Sequence, residues 1–172
     1  APSNPATEFS YNQDVVGIPE FAGPKVGARS NLVTMEVELK PDSAGVLYAL
    51  GAFSGGLSLW VDKGQLSYEY NLFEIQRTRI DTQGALPSGK VKIEIESRLA
   101  EPKRAAPMDV VIRVNGQEVA KGRVPVTASL AFTANDAFDV GLDSYSPVSL
   151  AYFDRAPFKF NGRIGQVTIR YL

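Results

Sequence analysis

Two pairs of carboxylates have a spacing that could do chemistry: Glu36 with Glu38, and Glu94 with Glu96. Each pair sits two residues apart in an alternating run, so a β-strand puts both acids of a pair on one face. Closely placed carboxylates serve glycosidases as acid and nucleophile. Sandwich glycosidases that work this way usually carry a third acid, in a Glu-x-Asp-x-Glu pattern. Thr34-Met35-Glu36-Val37-Glu38 and the run holding Glu94 and Glu96 each offer only two. The plainer reading is a solvated strand face, where charge is normal. Composition closes other routes. The 172 residues contain no Cys and no His. That removes a thiol nucleophile, a zinc–thiolate site, disulfides, the commonest general base and the commonest transition-metal ligand. No residue is assigned a catalytic role.

Binding residues are easier to nominate. Trp60, the only Trp, lies on the polar side of its strand beside Ser58, Ser67 and Glu69. A bare aromatic ring is uncommon unless it binds something. It therefore either stacks on a sugar or is covered by a loop, by the N-terminal segment or by a partner domain, and docking on a partner is the favoured expectation. Tyr145, Tyr152, Phe153, Phe158 and Phe160 gather between and around Pro147 and Pro157. A loop this aromatic is an interdomain surface or a cover over its own core. Asp136, Asp139, Asp143 and Asp154 cluster around Gly141, and Asp139 and Asp143 are the candidate calcium ligands. Their spacing does not fit an EF-hand loop, and turn or cap roles are the alternative. Lys103 and Arg104 fall in a polar loop and read as solvated.

The elements that must hold these residues are strands. Gly55-Gly56-Leu57-Ser58-Leu59-Trp60-Val61-Asp62 and Gln65-Leu66-Ser67-Tyr68-Glu69-Tyr70-Asn71 alternate around a Lys63-Gly64 turn. A two-residue loop ending in Gly gives a tight hairpin. Pairing Asp62 with Gln65 sets Val61 against Leu66, Leu59 against Tyr68 and Leu57 against Tyr70. The other face then pairs Trp60 with Ser67 and Ser58 with Glu69. A slip of one residue would mix the two sets, so the register is well specified. Asn115-Gly116 marks a second hairpin, with Val114 against Gln117, Ile112 against Val119, and an Arg113–Glu118 ion pair. Further strands are expected at 31–40, 45–51, 75–81, 91–96, 129–132, 138–141 and 162–172. Residues 98–107 and 142–157 read as loops. About ten short strands with Gly and Pro turns imply an all-β, two-sheet antiparallel sandwich, best as a jelly roll. Residues 1–30, rich in Pro, Gly, Asn and Ser, read as a tail, linker or extended wrap, and 31–172 as the sandwich domain.

Charge nearly cancels, with 18 Lys and Arg against 19 Asp and Glu. No basic excess exists to attract nucleic acid. No run approaches the roughly 18 apolar residues of a membrane span.

GVLYALGAFSGGLSLWVDKGQLSYEYNLF at 45–73 resembles a segment downstream of the catalytic domain in many bacterial arylsulfatases. LPSGKVKIEIE (86–96), VNGQEVAKGRVPVT (114–127), FDVGLDSYSPVS (138–149) and PFKFNGRIGQVTIRYL (157–172) follow in the same order. The resemblance implies a concanavalin A-like, lectin-type jelly roll. It also implies a non-catalytic accessory domain that packs on a sulfatase catalytic domain of the same chain, shapes its cleft or mediates a homo-oligomer. The sulfatase signature, a Cys or Ser followed by a spaced Pro and Arg, is absent here. The alternative is an independent carbohydrate-binding, lectin-like module. Trp60, Tyr145, Tyr152 and Phe153 are the ligand or interface candidates under either reading. A periplasmic or a cytoplasmic location stays open.

Overall fold

The computed structural model describes residues 5–132 and 137–172. In chain order the strands are β1 (Glu8–Tyr11), β2 (Ile18–Pro19), β3 (Asn31–Leu39), β4 (Gly45–Ala52), β5 (Gly55–Asp62), β6 (Gln65–Leu72) and β7 (Gln76–Asp81). They continue as β8 (Gly89–Leu99), β9 (Met108–Val114), β10 (Gln117–Val124), β11 (Ala137–Val140), β12 (Arg163–Ile164) and β13 (Val167–Tyr171). The first sheet runs β1-β13-β3-β8-β9-β10, with β12 also on β3, and the second runs β2-β11-β4-β5-β6-β7. All the ladders are antiparallel. Among the described residues no helix is long and apolar enough to cross a membrane.

Alternation explains the layering. Val33, Met35 and Val37 of β3 and Val91, Ile93 and Ile95 of β8 point inward and are buried. They share one core with Leu57, Leu59, Leu66, Tyr68 and Tyr70 of the second sheet. The β5–β6 register pairs Val61 with Leu66, Leu59 with Tyr68, Trp60 with Ser67 and Ser58 with Glu69, as the sequence pattern requires. β4 is buried along its whole length. The sequence reading of a central strand with two apolar faces applies to it. Residues 5–30 supply an edge strand to each sheet, β1 on β13 and β2 on β11.

Three expectations need correction. In the second hairpin Val114 meets Gln117, but Ile112 meets Ala120, because a bulge between Glu118 and Ala120 takes up Val119. Arg113 turns away from exposed Glu118 to the neighbouring strand, reaching Glu96 at 3.1 Å and Glu94 at 3.5 Å. Two carboxylates on β8 hold a guanidinium better than one at a solvated edge. Residues 129–132 form no strand. Side chains replace the ladder there: the Ala128 N–H donates to the Tyr70 hydroxyl at 2.8 Å, and the Phe132 N–H donates to the Glu20 carboxylate at 2.6 Å. Finally, the 142–157 loop contains a 3-10 helix, Leu150–Arg155, capped by Ser149.

Candidate functional site

Residues 141–160 form a strap across the outer face of the second sheet. Its ends are close, with the Phe160 N–H donating to the Gly141 carbonyl at 2.9 Å. The Asp143 N–H donates to the Pro157 carbonyl, and the Val46 N–H to the Phe158 carbonyl, both at 2.8 Å. Gly45 makes this return path sterically open. Its φ is +126°, and a Cβ there would strike the backbone of Phe160.

Under the strap lies a small second core of Val46, Ala49, Trp60, Tyr152 and Phe158. The Trp60 and Tyr152 rings meet edge to face at 5.2 Å, and Tyr152 stacks with Phe158 at 5.3 Å. Trp60 is 1 % exposed. The expectation that its ring docks on a partner domain or stacks on a sugar is therefore corrected: its own chain covers it. Tyr152 is buried as well and offers no ligand surface. Burial and the adjacent Asp143 carboxylate push its phenol well above the ordinary value.

Polar contacts hold the strap to the strand face. The Tyr152 hydroxyl donates to the Asp143 carboxylate at 2.5 Å and shares a hydrogen bond with the Ser58 hydroxyl at 2.9 Å. The Ser149 hydroxyl donates to Glu69 at 2.9 Å. Arg77 donates to Glu69 and to the Val148 carbonyl, both at 2.8 Å. Arg155 closes the far side onto Asp62 at 2.9 Å. Such a network is stabilising because nearly every buried polar group in it finds a partner.

The aromatic surface that stays open lies at one end of the sandwich. The Phe53 N–H donates to Ser146 Oγ at 3.0 Å, which brings the β4–β5 turn against the strap. The Phe53 ring meets Phe153 edge to face at 5.6 Å, and the Arg77 guanidinium lies 5.1 Å over the Phe53 ring. Tyr145, next to Ser146, is 77 % exposed, and Phe153 is 53 % exposed. The neighbouring β6–β7 turn adds exposed Phe73 and Ile75. Asn71 joins the two turns by donating to the Phe53 carbonyl at 2.7 Å and accepting from the Glu74 N–H at 2.8 Å. Tyr145, Phe73 and Glu74 all have positive φ, at 60°, 50° and 63°. Non-glycine residues in that region are strained, and such strain concentrates at functional sites. Of the sequence-nominated residues, Phe153 packs on Phe53 here, and Tyr145 is next in the chain to Ser146, which holds the Phe53 turn. Phe53, Phe73 and Arg77 were missed, because isolated aromatics at strand ends carry no signal until the turns converge.

The acidic candidates are placed otherwise. Glu36 and Glu38 face Lys92 and Lys90 across the β3–β8 ladder on the outer face of the first sheet. Hydrogen bonds from Arg98 first, and then Arg113, hold the Glu96 carboxyl below the usual carboxylate range. A glycosidase acid needs the opposite shift. Asp139 accepts from the Gly17 N–H at 2.8 Å, and from the Ser144 N–H at 2.8 Å and hydroxyl at 2.7 Å. Asp143 accepts from the Val148 N–H at 2.8 Å besides Tyr152. Both therefore staple the strap. Among the described residues no three acidic side chains gather to hold a metal ion. Asp154 is exposed, and Asp136 lies outside the described residues.

No family model matches this chain, and no curated protein matches it. The arylsulfatase resemblance thus stands on the quoted segments alone. Solved structures do match. Domains LG4-5 of the mouse laminin alpha1 chain superpose with a TM-score of 0.59 at 15 % identity, covering 98 % of this chain and 42 % of that one. The CBM40 of the Ruminococcus gnavus IT-sialidase, solved with alpha2,3 sialyllactose, gives a TM-score of 0.60 at 12 % identity, covering 96 % of this chain and 92 % of that one. A leech intramolecular trans-sialidase gives 0.59 at 12 % identity, covering 95 % of this chain and 26 % of that one. At these identities the likeness shows the fold alone: a two-sheet, concanavalin A-like jelly roll.

Proposed function

We propose that this domain is a non-catalytic carbohydrate-binding module whose ligand lies against Tyr145, Phe153 and Phe53. The observation that carries this reading is the exposure of Tyr145, 77 % exposed on a left-handed residue, next in the chain to Ser146, whose hydroxyl holds the turn that carries the half-open Phe53–Phe153 pair. An aromatic surface packs the C–H face of a pyranose, while Arg77, Ser54 and Ser146 stand near it as hydrogen-bonding groups. Large exposed apolar groups that cluster mark binding sites. The sialyllactose-bound neighbour supports the ligand class, since its whole module shares this fold.

A glycan array followed by calorimetry on the isolated domain tests the reading. Binding is expected for at least one oligosaccharide, sialyllactose included among the probes. Tyr145→Ala with Phe153→Ala should weaken it about tenfold or more, since two stacking rings together contribute over about 1.4 kcal/mol. No binding across the array, or unchanged affinity in the double variant, overturns it.

One observation supports a second reading. Ile75 in the β6–β7 turn is 84 % exposed, and Leu150, in the same 3-10 helix as Phe153, is 60 % exposed. So apolar a rim suits packing on another protein domain, as the arylsulfatase resemblance implies. A silent glycan array, together with specific association with a sulfatase catalytic domain, would favour that reading.

A further inference from the structure

At the opposite end of β5 from the aromatic cluster, three connections leave a hollow. They are the β3–β4 turn, the Lys63-Gly64 turn and the β7–β8 loop. The hollow has a volume of about 270 Å³ and is floored by Leu39, Pro41, Val61, Leu86 and Pro87. An adjoining hollow of about 370 Å³ shares Leu39, Lys40, Pro41 and Ser88 with it and adds Lys90 and Glu38. The floor is apolar because β3 and β5 end here, so Leu39 and Val61 lie at the end of the core. The rim is cationic. Lys92, Lys103 and Lys159 form ion pairs, whereas Lys40 and Lys90 form none among the described residues. Glu38, opposite Lys90 in the ladder, is the one acid in the lining.

An apolar floor with unpaired cations at its edge fits a ligand with the reverse pattern. We infer that these two adjoining hollows, joined through Leu39, Lys40, Pro41 and Ser88, form one second binding site, for a small organic anion whose apolar body sits on Leu39, Val61, Leu86 and the prolines, and whose carboxylate or sulfate meets Lys40 and Lys90. The inference does not depend on the glycan reading. The sugar-facing groups lie at the other end of the sandwich, and this hollow has no aromatic lining.

Amide chemical-shift mapping of the whole chain tests it, with phenylacetate and phenyl sulfate as anionic probes and benzyl alcohol as their neutral counterpart. At least one anion should shift residues 39–43 and 85–90, and the two anions separate carboxylate from sulfate preference. Lys40→Gln with Lys90→Gln should weaken that anion about fivefold, and leave the alcohol unchanged, at about 0.5 kcal/mol for each exposed contact. Glu38→Gln should strengthen the anion by about twofold through the same electrostatics. A folding defect would not produce opposite signs in the double-lysine and Glu38 variants. Shifts elsewhere, no shifts at millimolar probe, equal binding of benzyl alcohol, or Glu38→Gln acting in the same direction as the lysine variants overturns the inference.

Discussion

Tyr152 does more for this protein as a buried post than it could as a ligand contact. Its ring fills the space over Trp60, and its hydroxyl supplies one of the donors used by the Asp143 carboxylate inside the strap. A hydrogen bond to a charged, buried acceptor contributes about 1.5–3 kcal/mol. Tyr152→Phe keeps the ring and deletes the hydroxyl with its bonds to Asp143 and Ser58, so urea denaturation should show a stability loss of at least about 1.5–3 kcal/mol with an unchanged m-value. A loss below about 0.5 kcal/mol, the range of a surface substitution, would show that the network is not stabilising. The sequence named Trp60, Tyr145, Tyr152 and Phe153 as one group, and the structure divides them. Tyr145 and Phe153 face solvent, whereas Tyr152 and Trp60 face each other. Spacing could not separate them, because loop residues lack the period that assigns faces in a strand.

The strap is the element that decides which surface of the sandwich is free. It seals a strand face whose alternation alone would leave Ser58, Trp60, Ser67 and Glu69 to solvent, and it carries Tyr145 and Phe153 to the end where the Phe53 turn waits. Phe158 is the strap's second ring, stacked on Tyr152 and 8 % exposed. Phe158→Ala should cost about 3 kcal/mol through the cavity it leaves. Water then reaches Trp60, and as the only Trp it should report this by a shift of its fluorescence to longer wavelength. Unchanged emission would contradict the covering role. At this scale the sequence is legible where period 2 and turn chemistry agree, as in the β5–β6 hairpin. It is illegible where an extra residue or a side-chain partner intervenes. Val119 enters a bulge that hydrophobic alternation cannot mark. Residues 129–132 look strand-like in composition, yet the Phe132 amide bonds to Glu20 and that of Ala128, just before them, to Tyr70.

Across the whole molecule, phenols are buried in both apolar layers: Tyr48, Tyr68 and Tyr70 between the sheets and Tyr152 beneath the strap. Burial is the largest cause raising the pKa of each above the ordinary value. In the unfolded chain these groups ionise near about pH 10. The folded state keeps its protons to higher pH, so above that point the unfolded state binds fewer protons and stability falls as pH rises. Denaturation midpoints should hold steady between about pH 6 and pH 9 and drop steeply above about pH 10, with phenolate absorbance rising together with unfolding. Phenolate appearing in advance of unfolding would contradict the burial of these rings. The two-sheet architecture was readable from strand spacing and the Gly and Pro turns. The proposed ligand surface was not, since it is built from the β4–β5 turn, the β6–β7 turn and the strap, far apart in sequence and joined through Asn71 and Ser146. The proposal that this end of the jelly roll holds a glycan is tested most directly by titrating the isotope-labelled domain with a panel of oligosaccharides. Amide shifts are predicted at Phe53, Ser54, Phe73, Tyr145, Ser146 and Phe153, with Ser58, Trp60 and Ser67 unmoved. Shifts centred on Trp60 and the strapped face, or none from any oligosaccharide, would contradict it.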